Sequence, residues 1–301
     1  MSFLNPVSEP VLRFKSTDAG APQINYGART VGDVKAVLKA CLVTGYGATA
    51  SAGWSVVNEV GDVSEFVSPS EAMVEYRLGV DDTSASSTTW YYQYQDVRTN
   101  PVNNVLTKNF SQSNKTSPEN GWTLLVTERG LFFVEILNTG SSNSTRARLT
   151  YFGAIKLAIN ATNTKNIAFW CTGASSPTIT TSNFFPDLAT SAHFVASSYT
   201  GLSGASAMLG LLKADNFKRT WGIPTMDMSA SIFLVKGSYL IAEQPALLLT
   251  DYNKLDGLVD VRDDVLDGRP VIYMYLGREV SSVQTPDYGN SALIYLDYWG
   301  Y

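Results

Sequence analysis

Apolar residues recur at helical spacing in one stretch of the chain, residues 30–44. The stripe consists of Val34, Leu38, Cys41 and Leu42, which fall at positions i, i+4, i+7 and i+8. The Thr30 hydroxyl is placed to cap the first turn, where the charge of Asp33 suits the helix dipole, and Gly45 suits the residue after the last turn. The pattern predicts an amphipathic helix of about four turns that packs its stripe against a sheet.

A glycine-aromatic turn follows this helix, with the sequence GYGATASAGW. Its characteristic members are Gly45, Tyr46, Gly47 and Trp54. Glycine permits a close approach of two backbones, and the aromatic rings supply large surfaces for packing. We therefore expect a tight structural turn here.

Alternation of apolar and polar residues predicts strands over most of the remaining chain. Residues 73–80 and 88–97 form one predicted hairpin, with Val74, Tyr76, Leu78 and Val80 on a single face of the first strand. Residues 122–137 form a second hairpin that turns at 128–130, where Gly130 is expected to adopt positive φ. The predicted fold is mainly β, with β-sandwich or barrel-like sheets and the helix packed on one of them. An α+β fold is the minor alternative.

Three regions follow from these patterns. Residues 1–15 contain two prolines and are predicted to be an extended arm or an edge strand. Residues 16–165 are predicted to form a domain of the helix and antiparallel sheet. Residues 166–301 form either a second β-rich domain or a continuation of the same sheets.

Two segments of unusual composition lie within these regions. Residues 98–121 are polar throughout and are predicted to be a long loop. Residues 166–212 carry one charged side chain, that of Asp187, and the next charged residue along the chain is Lys213. Such an uncharged segment suits contact with a neighbouring molecule, although an ordinary loop-rich β-segment has the same composition.

Composition narrows the classes of function. Charged residues make up 16% of the chain and the net charge is −5, without a basic cluster that would neutralise phosphates. Nucleic acid is therefore not expected as the main partner. The first residues do not follow the pattern of a signal peptide, and no run of about eighteen apolar residues predicts a membrane span. Cys41 and Cys171 are interpreted as small buried hydrophobic residues of a protein made in a reducing cytosol.

Candidate catalytic residues do not assemble into a motif. The single histidine, His193, has no recognisable nucleophile at a fixed spacing, and no nucleotide-binding or zinc-binding pattern occurs. We therefore expect no enzymatic activity, no cofactor and no metal.

Two acidic groups leave an alternative open. Asp81 and Asp82 could serve as paired carboxylates of a glycosidase or bind a cation. A second group departs from the register of a calcium-binding loop and comprises Asp251, Asp256, Asp260, Asp263, Asp264 and Asp267. Structural or solvated roles are the simpler interpretation of both groups.

Residues 16–54 resemble a family of virion proteins of tailed bacteriophages. The resemblance rests on an S-x-D-A-G-A-P start, a short helix, a C-L-V-x-G-Y-G segment and a downstream A-G-W. The matching positions here are Asp18, Ala19, Gly20, Ala21, Pro22, Ala40, Cys41, Leu42, Val43, Gly45, Tyr46, Gly47, Ala52, Gly53 and Trp54. Weaker similarity continues to about residue 160, and Thr44 stands where the family usually has asparagine.

The resemblance implies a structural component of the phage particle that works through protein–protein contacts. Expected partners are further copies of this chain and other virion proteins, and the expected location is the virion, after synthesis in the host cytoplasm. The family implies no catalytic residues. The alternative hypothesis is a virion-borne adhesin that binds or degrades a host surface glycan, based on the many aromatic residues and the acidic pairs. A scaffold present only during assembly is a third, weaker hypothesis.

Overall fold

The structure is a computed structural model, and it describes twelve ranges of the chain. These are residues 8–24, 30–85, 87–94, 106–113, 121–138, 145–157, 167–171, 192–195, 229–236, 239–250, 261–278 and 289–301. None of its described helices is long and apolar enough to cross a membrane.

Nineteen strands and one helix occur in the described ranges. The first part contains β1 (Ser8–Pro10), β2 (Leu12–Lys15), α1 (Asp33–Lys39) with a π-helical turn (Ala40–Thr44), β3 (Ser55–Val60), β4 (Val63–Val67), β5 (Tyr76–Asp81), β6 (Ser87–Tyr94) and β7 (Leu106–Ser113). The middle contains β8 (Trp122–Thr127), β9 (Gly130–Asn138), β10 (Thr145–Ala154), β11 (Lys156–Leu157), β12 (Ile167–Cys171) and β13 (Ala192–Val195). The last part contains β14 (Ser229–Lys236), β15 (Tyr239–Thr250), β16 (Val261–Leu266), β17 (Arg269–Arg278), β18 (Gly289–Tyr295) and β19 (Tyr298–Gly300).

Three antiparallel sheets form the body of the protein. The central sheet has the order β13-β12-β10-β9-β8-β2. The helix-side sheet has the order β3-β4-β5-β6-β7, and the outer sheet has the order β11-β15-β18-β17-β16, with β14 also paired to β15. The prediction of a mainly β fold is confirmed. The prediction named a β-sandwich or barrel-like sheets. The structure has stacked open sheets, and no described sheet closes into a barrel.

The central sheet is buried on both faces. All six residues of β8 are buried, and alternate positions belong to different cores. Leu124 and Phe133 face the helix-side sheet, where the Phe133 and Trp90 rings lie 5.5 Å apart. Leu125 and Phe132 face the outer sheet and the β1–β19 pair, and the Phe132 ring lies 5.2 Å from that of Trp299 in β19. The molecule is therefore a three-layer stack.

The helix differs from its prediction in both length and start. The α-helical part covers Asp33–Lys39, and the π-helical turn of Ala40–Thr44 completes the segment. Gly32 is the N-cap residue and, having no side chain, makes no capping hydrogen bond to the helix. The prediction of Thr30 as the cap was wrong, because the Thr30 backbone N–H donates to the Asp33 carboxylate instead. The amphipathic character and the packing on a sheet are confirmed.

Both predicted hairpins are present. β5 pairs with β6 and β8 pairs with β9, each in antiparallel register. β5 begins at Tyr76, three residues later than predicted, and Tyr76, Leu78 and Val80 are buried together. Gly130 does not have positive φ, contrary to expectation. It is needed for a different reason, since its partner across the strands is Gly153 and the two backbones nearly touch.

Two strands lie in polar parts of the sequence. Within residues 98–121, Leu106–Ser113 pairs with β6 along eight residues, so the loop prediction was wrong there. Val261–Leu266, which carries Asp263 and Asp264 of the second acidic group, pairs with β17. In both cases the neighbouring strand offers backbone partners to a sequence with little apolar alternation of its own. The residues of 98–121 on either side of this strand lie outside the described ranges, except Gly121.

Of the uncharged segment 166–212, the structure describes two short strands. Ile167–Cys171 and Ala192–Val195 continue the central sheet, as partners of β10 and of each other. Asp187 and the remaining residues of the segment lie outside the described ranges. The division of the chain at residue 165 stays a prediction, and the outer sheet, formed mostly by residues 229–295, packs directly on the central sheet.

The two ends of the described chain are paired with each other. β1 pairs antiparallel with β19, so that Glu9 lies opposite Trp299. The buried Glu9 carboxylate has the Arg129 Nε 2.6 Å away and accepts a hydrogen bond from the Arg129 backbone N–H at 3.1 Å. The hydroxyls of Tyr301 and Thr127 are hydrogen-bonded at 2.7 Å. Residues 8–15 therefore form edge strands within this chain.

Replacing Gly153 by alanine is expected to lower the free energy of unfolding by about 1–3 kcal/mol, measured by urea denaturation. The new Cβ would lie 2.5 Å from the Gly130 Cα across the β9–β10 pair. Gly300→Ala is the matched control, since a Cβ there meets no atom within 4 Å. Equal stability of the two variants would contradict the close contact.

The unfolding free energy of Glu9→Gln, relative to that of the wild type, is expected to rise as pH increases from acid to neutral. Burial raises the pKa of the Glu9 carboxyl, and Arg129 offsets only part of that shift. Such a carboxyl contributes stability that is present below its ordinary pKa and lost as pH rises through the raised value. The measurement is the difference in unfolding free energy between variant and wild type at several pH values.

Glu59→Gln supplies a control of opposite sign for this experiment. Hydrogen bonds from Lys39 and Lys35 hold the pKa of the Glu59 carboxyl below its ordinary value. Its contribution is present above the ordinary pKa and lost as pH falls through the lowered value. The same pH slope for both variants would show that the Glu9–Arg129 attraction outweighs burial.

Candidate functional site

The candidate site is the segment from Ser16 to Trp54, in which two parts of the sequence motif meet. The Tyr46 hydroxyl donates to the Asp18 carboxylate at 2.7 Å, and the same carboxylate oxygen accepts the Lys15 backbone N–H at 2.8 Å. Burial and the hydrogen bond to Asp18 raise the pKa of the Tyr46 phenol. Tyr46 is therefore held neutral as a hydrogen-bond donor, and it ties the turn after the helix to the segment before it.

Gly47 brings these two parts into backbone contact. Its φ is +54°, and a Cβ at this position would lie 2.5 Å from the Ala19 carbonyl oxygen. Any other residue would separate the two backbones or strain the turn. The GYG sequence and the DAGAP sequence thus form one interlocked unit.

The residues after the turn complete the end of the helix. Gly45 closes the π-helical turn by donating its N–H to the Ala40 carbonyl at 2.7 Å. The Ala52 and Trp54 N–H groups donate to the Cys41 and Leu42 carbonyls, both at 2.9 Å. Carbonyls at a helix end have no partner inside the helix, so this returning segment before β3 satisfies them.

Trp54 joins the unit to the central sheet. Its indole N–H donates to the Thr127 carbonyl at 3.3 Å, and its ring meets that of Phe152 edge-on at 6.3 Å. The predicted stripe faces the same core, and Val34, Leu38, Cys41 and Leu42 are all buried. Burial raises the pKa of the Cys41 thiol, which is not in a disulfide and stays protonated. A protonated, buried thiol is a packing group and not a nucleophile.

The start of the helix depends on a residue far away in sequence. Asp82 is fully buried, and one of its carboxylate oxygens accepts the Val34 N–H at 2.8 Å and the Lys35 N–H at 3.4 Å. Its other oxygen accepts the Thr88 hydroxyl at 3.0 Å. Asp82 thus supplies the cap that no local side chain provides, in a position where negative charge also suits the helix dipole.

The two acidic groups are occupied by structural contacts where they are described. Asp81 accepts hydrogen bonds from the Thr83 N–H and hydroxyl, so it closes its own turn, while Asp82 caps the helix. Asp263 binds Arg13, and Asp264 binds Arg262 at 2.8 Å.

Of the remaining members of the second group, the structure describes Asp267, which lies in the β16–β17 turn with positive φ. Asp251, Asp256 and Asp260 lie outside the described ranges. Within the described part of the chain, no three His, Cys, Asp or Glu side chains are placed to hold a metal ion. For His193 the structure describes the strand β13 and not the side chain.

One strand beside the helix is exposed. β3 forms an edge of the helix-side sheet, and Val57 and Val60 on it are 45% and 71% exposed. Its acidic residue, Glu59, is bound by Lys39 at 2.7 Å and Lys35 at 3.1 Å. This arrangement can make contacts with another protein through an apolar edge whose charge is already neutralised.

Sequence patterns could not find all of these residues. The Asp82 cap joins positions that are forty-eight residues apart, and nothing local marks it. The Asp18–Tyr46 bond joins two pieces of the same sequence motif, and their membership of one motif was the available signal.

Comparison with known proteins gives no further assignment. No protein-family model and no curated protein sequence matches the chain.

Replacing Asp82 by alanine is expected to cost about 2–3 kcal/mol of unfolding free energy, because buried helix N–H groups lose their acceptor. Urea denaturation followed by circular dichroism measures the loss. Asp81→Ala is the matched control, and its expected cost is below about 1 kcal/mol. An Asp81 variant as unstable as the Asp82 variant would contradict the assignment of the cap to Asp82.

Proposed function

We propose that the chain is a structural component of a tailed-phage particle, associated with head or tail, that works through protein–protein contacts. The observation that carries the proposal is the interlocked unit of residues 16–54. The positions that resemble the phage family are in contact with one another, as in the Asp18–Tyr46 bond and the packing of Gly47 on Ala19. A resemblance confined to unconnected surface residues would support the proposal less.

Further support comes from how the polar groups are used. The buried carboxylates Asp82 and Glu9 hold backbone groups and an arginine, which are structural tasks. The low charge of the chain reduces repulsion between closely packed copies. Both features suit a protein that is held in a repeated assembly.

The alternative is a glycan-binding or glycan-degrading adhesin on the virion. The observation in its favour is a polar cluster on the helix-side sheet, where the Glu65 carboxylate accepts the Tyr91 hydroxyl at 3.2 Å and has Arg77 3.4 Å away. Carboxylate, guanidinium and phenol groups on one face are suited to binding sugar hydroxyls. Binding to host surface polysaccharide, lost in Arg77→Ala, would favour this alternative.

Mass spectrometry of purified virions tests the main proposal. We expect peptides of this chain in gradient-purified particles at a stoichiometry of several copies, and at the same level after a high-salt wash. A density map of the particle then locates the chain. Its absence from mature particles would overturn the proposal, and its presence only in assembly intermediates would identify a scaffold.

A further inference from the structure

We propose that β3 is a self-association edge, at which two copies of this chain pair their β3 strands antiparallel about a two-fold axis. The biological purpose of this pairing depends on the proposed function, because the partner is a second copy of the chain. The physical argument depends only on the residues of β3 and their neighbours.

The first step concerns which described sheet edges are protected. Edge strands carry unpaired backbone groups, and charged side chains on the edge normally prevent them from pairing with another chain. The edge strand β2 carries Arg13 and Lys15, and the edge strand β16 carries Arg262, Asp263 and Asp264. These charged residues also bridge the central and outer sheets through Asp263.

β3 lacks such protection. Its sequence is SVVNEV, and its single charged residue, Glu59, is bound by two lysines of the helix. The ion pairs with Lys35 and Lys39 offset the charge of the Glu59 carboxylate, so two such edges can approach without carboxylate repulsion. The exposure of Val57 and Val60 adds apolar area that a partner strand would cover.

The second step is the register, which the two faces of β3 determine. Val56 lies opposite the core residue Phe66 and packs on the core, and Glu59 reaches the helix, so both are on the inner face. Val60 lies opposite Val63 on the other face, as Ser55 does opposite Val67. A register shift between Val56 and Asn58 marks a bulge at Val57. Because the bulge adds one residue, Val56 and Glu59 can lie on the same face although they are three positions apart.

Directly opposed residues in an antiparallel pair share a face. The two-fold register that satisfies this rule places Ser55 opposite Val60 of the second copy and Val56 opposite Glu59 of the second copy. The bulges then face each other at the axis, and the two Glu59 residues stay apart. A shift by one residue would place Val60 opposite Val56, on the wrong face.

The expected strength follows from the size of the contact. Specific interfaces usually bury about 1,200–2,000 Å², more than one pair of six-residue strands provides. Free chains should therefore dimerise weakly, and repeated contacts in a particle would add to the stability of the pair. Covalent trapping is the suitable measurement.

The test is oxidation of the double variant Ser55→Cys/Val60→Cys. In the proposed register the two positions are opposed between copies, at the Cα separation that a disulfide requires. Within one copy they are five residues apart on a strand, roughly 16 Å, which no disulfide spans. We expect at least about tenfold more cross-linked dimer than in either single variant, on non-reducing gels.

Two further variants separate edge pairing from random oxidation. Val57→Lys, added to the double-cysteine chain, should reduce the cross-link because lysine blocks an edge. Val265→Lys is the matched control, since Val265 is 66% exposed on the edge strand β16, and it should leave the cross-link unchanged. The wild-type chain gives the background from its own two cysteines, and unfolding midpoints verify that every variant is folded.

Equal cross-linking of single and double variants would overturn the register, and no cross-linking in the folded double variant would overturn the inference. Neither result affects the test of the proposed function. A chain found in virions without the cross-link retains the proposed function and loses only this interface. A cross-linked chain that is absent from virions retains the interface and loses the proposed function.

Discussion

The burial of both faces of the central sheet is the constraint on which the other layers depend. A sheet with one apolar face needs one covering layer, whereas β8 and β9 bear large apolar side chains on both. The helix-side sheet with the helix covers one face, and the outer sheet covers the other. Loss of either layer would expose rings such as Trp90 or Trp299, both fully buried here, and the exposed area would favour aggregation.

The helix is held at both ends by residues from elsewhere in the chain. Asp82 caps its start, and the backbone of Ala52 and Trp54 satisfies its final carbonyls. A helix of two α-helical turns and a π-helical turn has little stability alone. Its position therefore depends on tertiary contacts, and the glycine-aromatic turn supplies those at its C-terminal end.

The sequence contained more information on element type than on element ends. The stripe of Val34, Leu38, Cys41 and Leu42 was sufficient to predict a buried helix face, because helical period is a property of adjacent residues. The cap was missed because Asp82 becomes a neighbour only after folding. Strands β7 and β16 were missed for a related reason, since their polar sequences pair with strands whose position the local pattern does not contain. The continuous apolar run in β8 and β9 could have indicated burial on both faces.

The same distinction applies to function. A reaction requires a few groups at fixed distances, whereas Asp82, Asp81, Glu9 and Glu59 are engaged with a helix end, a turn, an arginine and lysines respectively. A protein that assembles requires exposed edges and faces that fit a partner, which leave only weak signals in one sequence. In this chain such a signal is the contrast between β2 and β16, with their charged side chains, and β3, whose one carboxylate is directed back to Lys35 and Lys39. Protection at some edges and its absence at β3 is therefore the structural feature most directly connected to the proposed assembly.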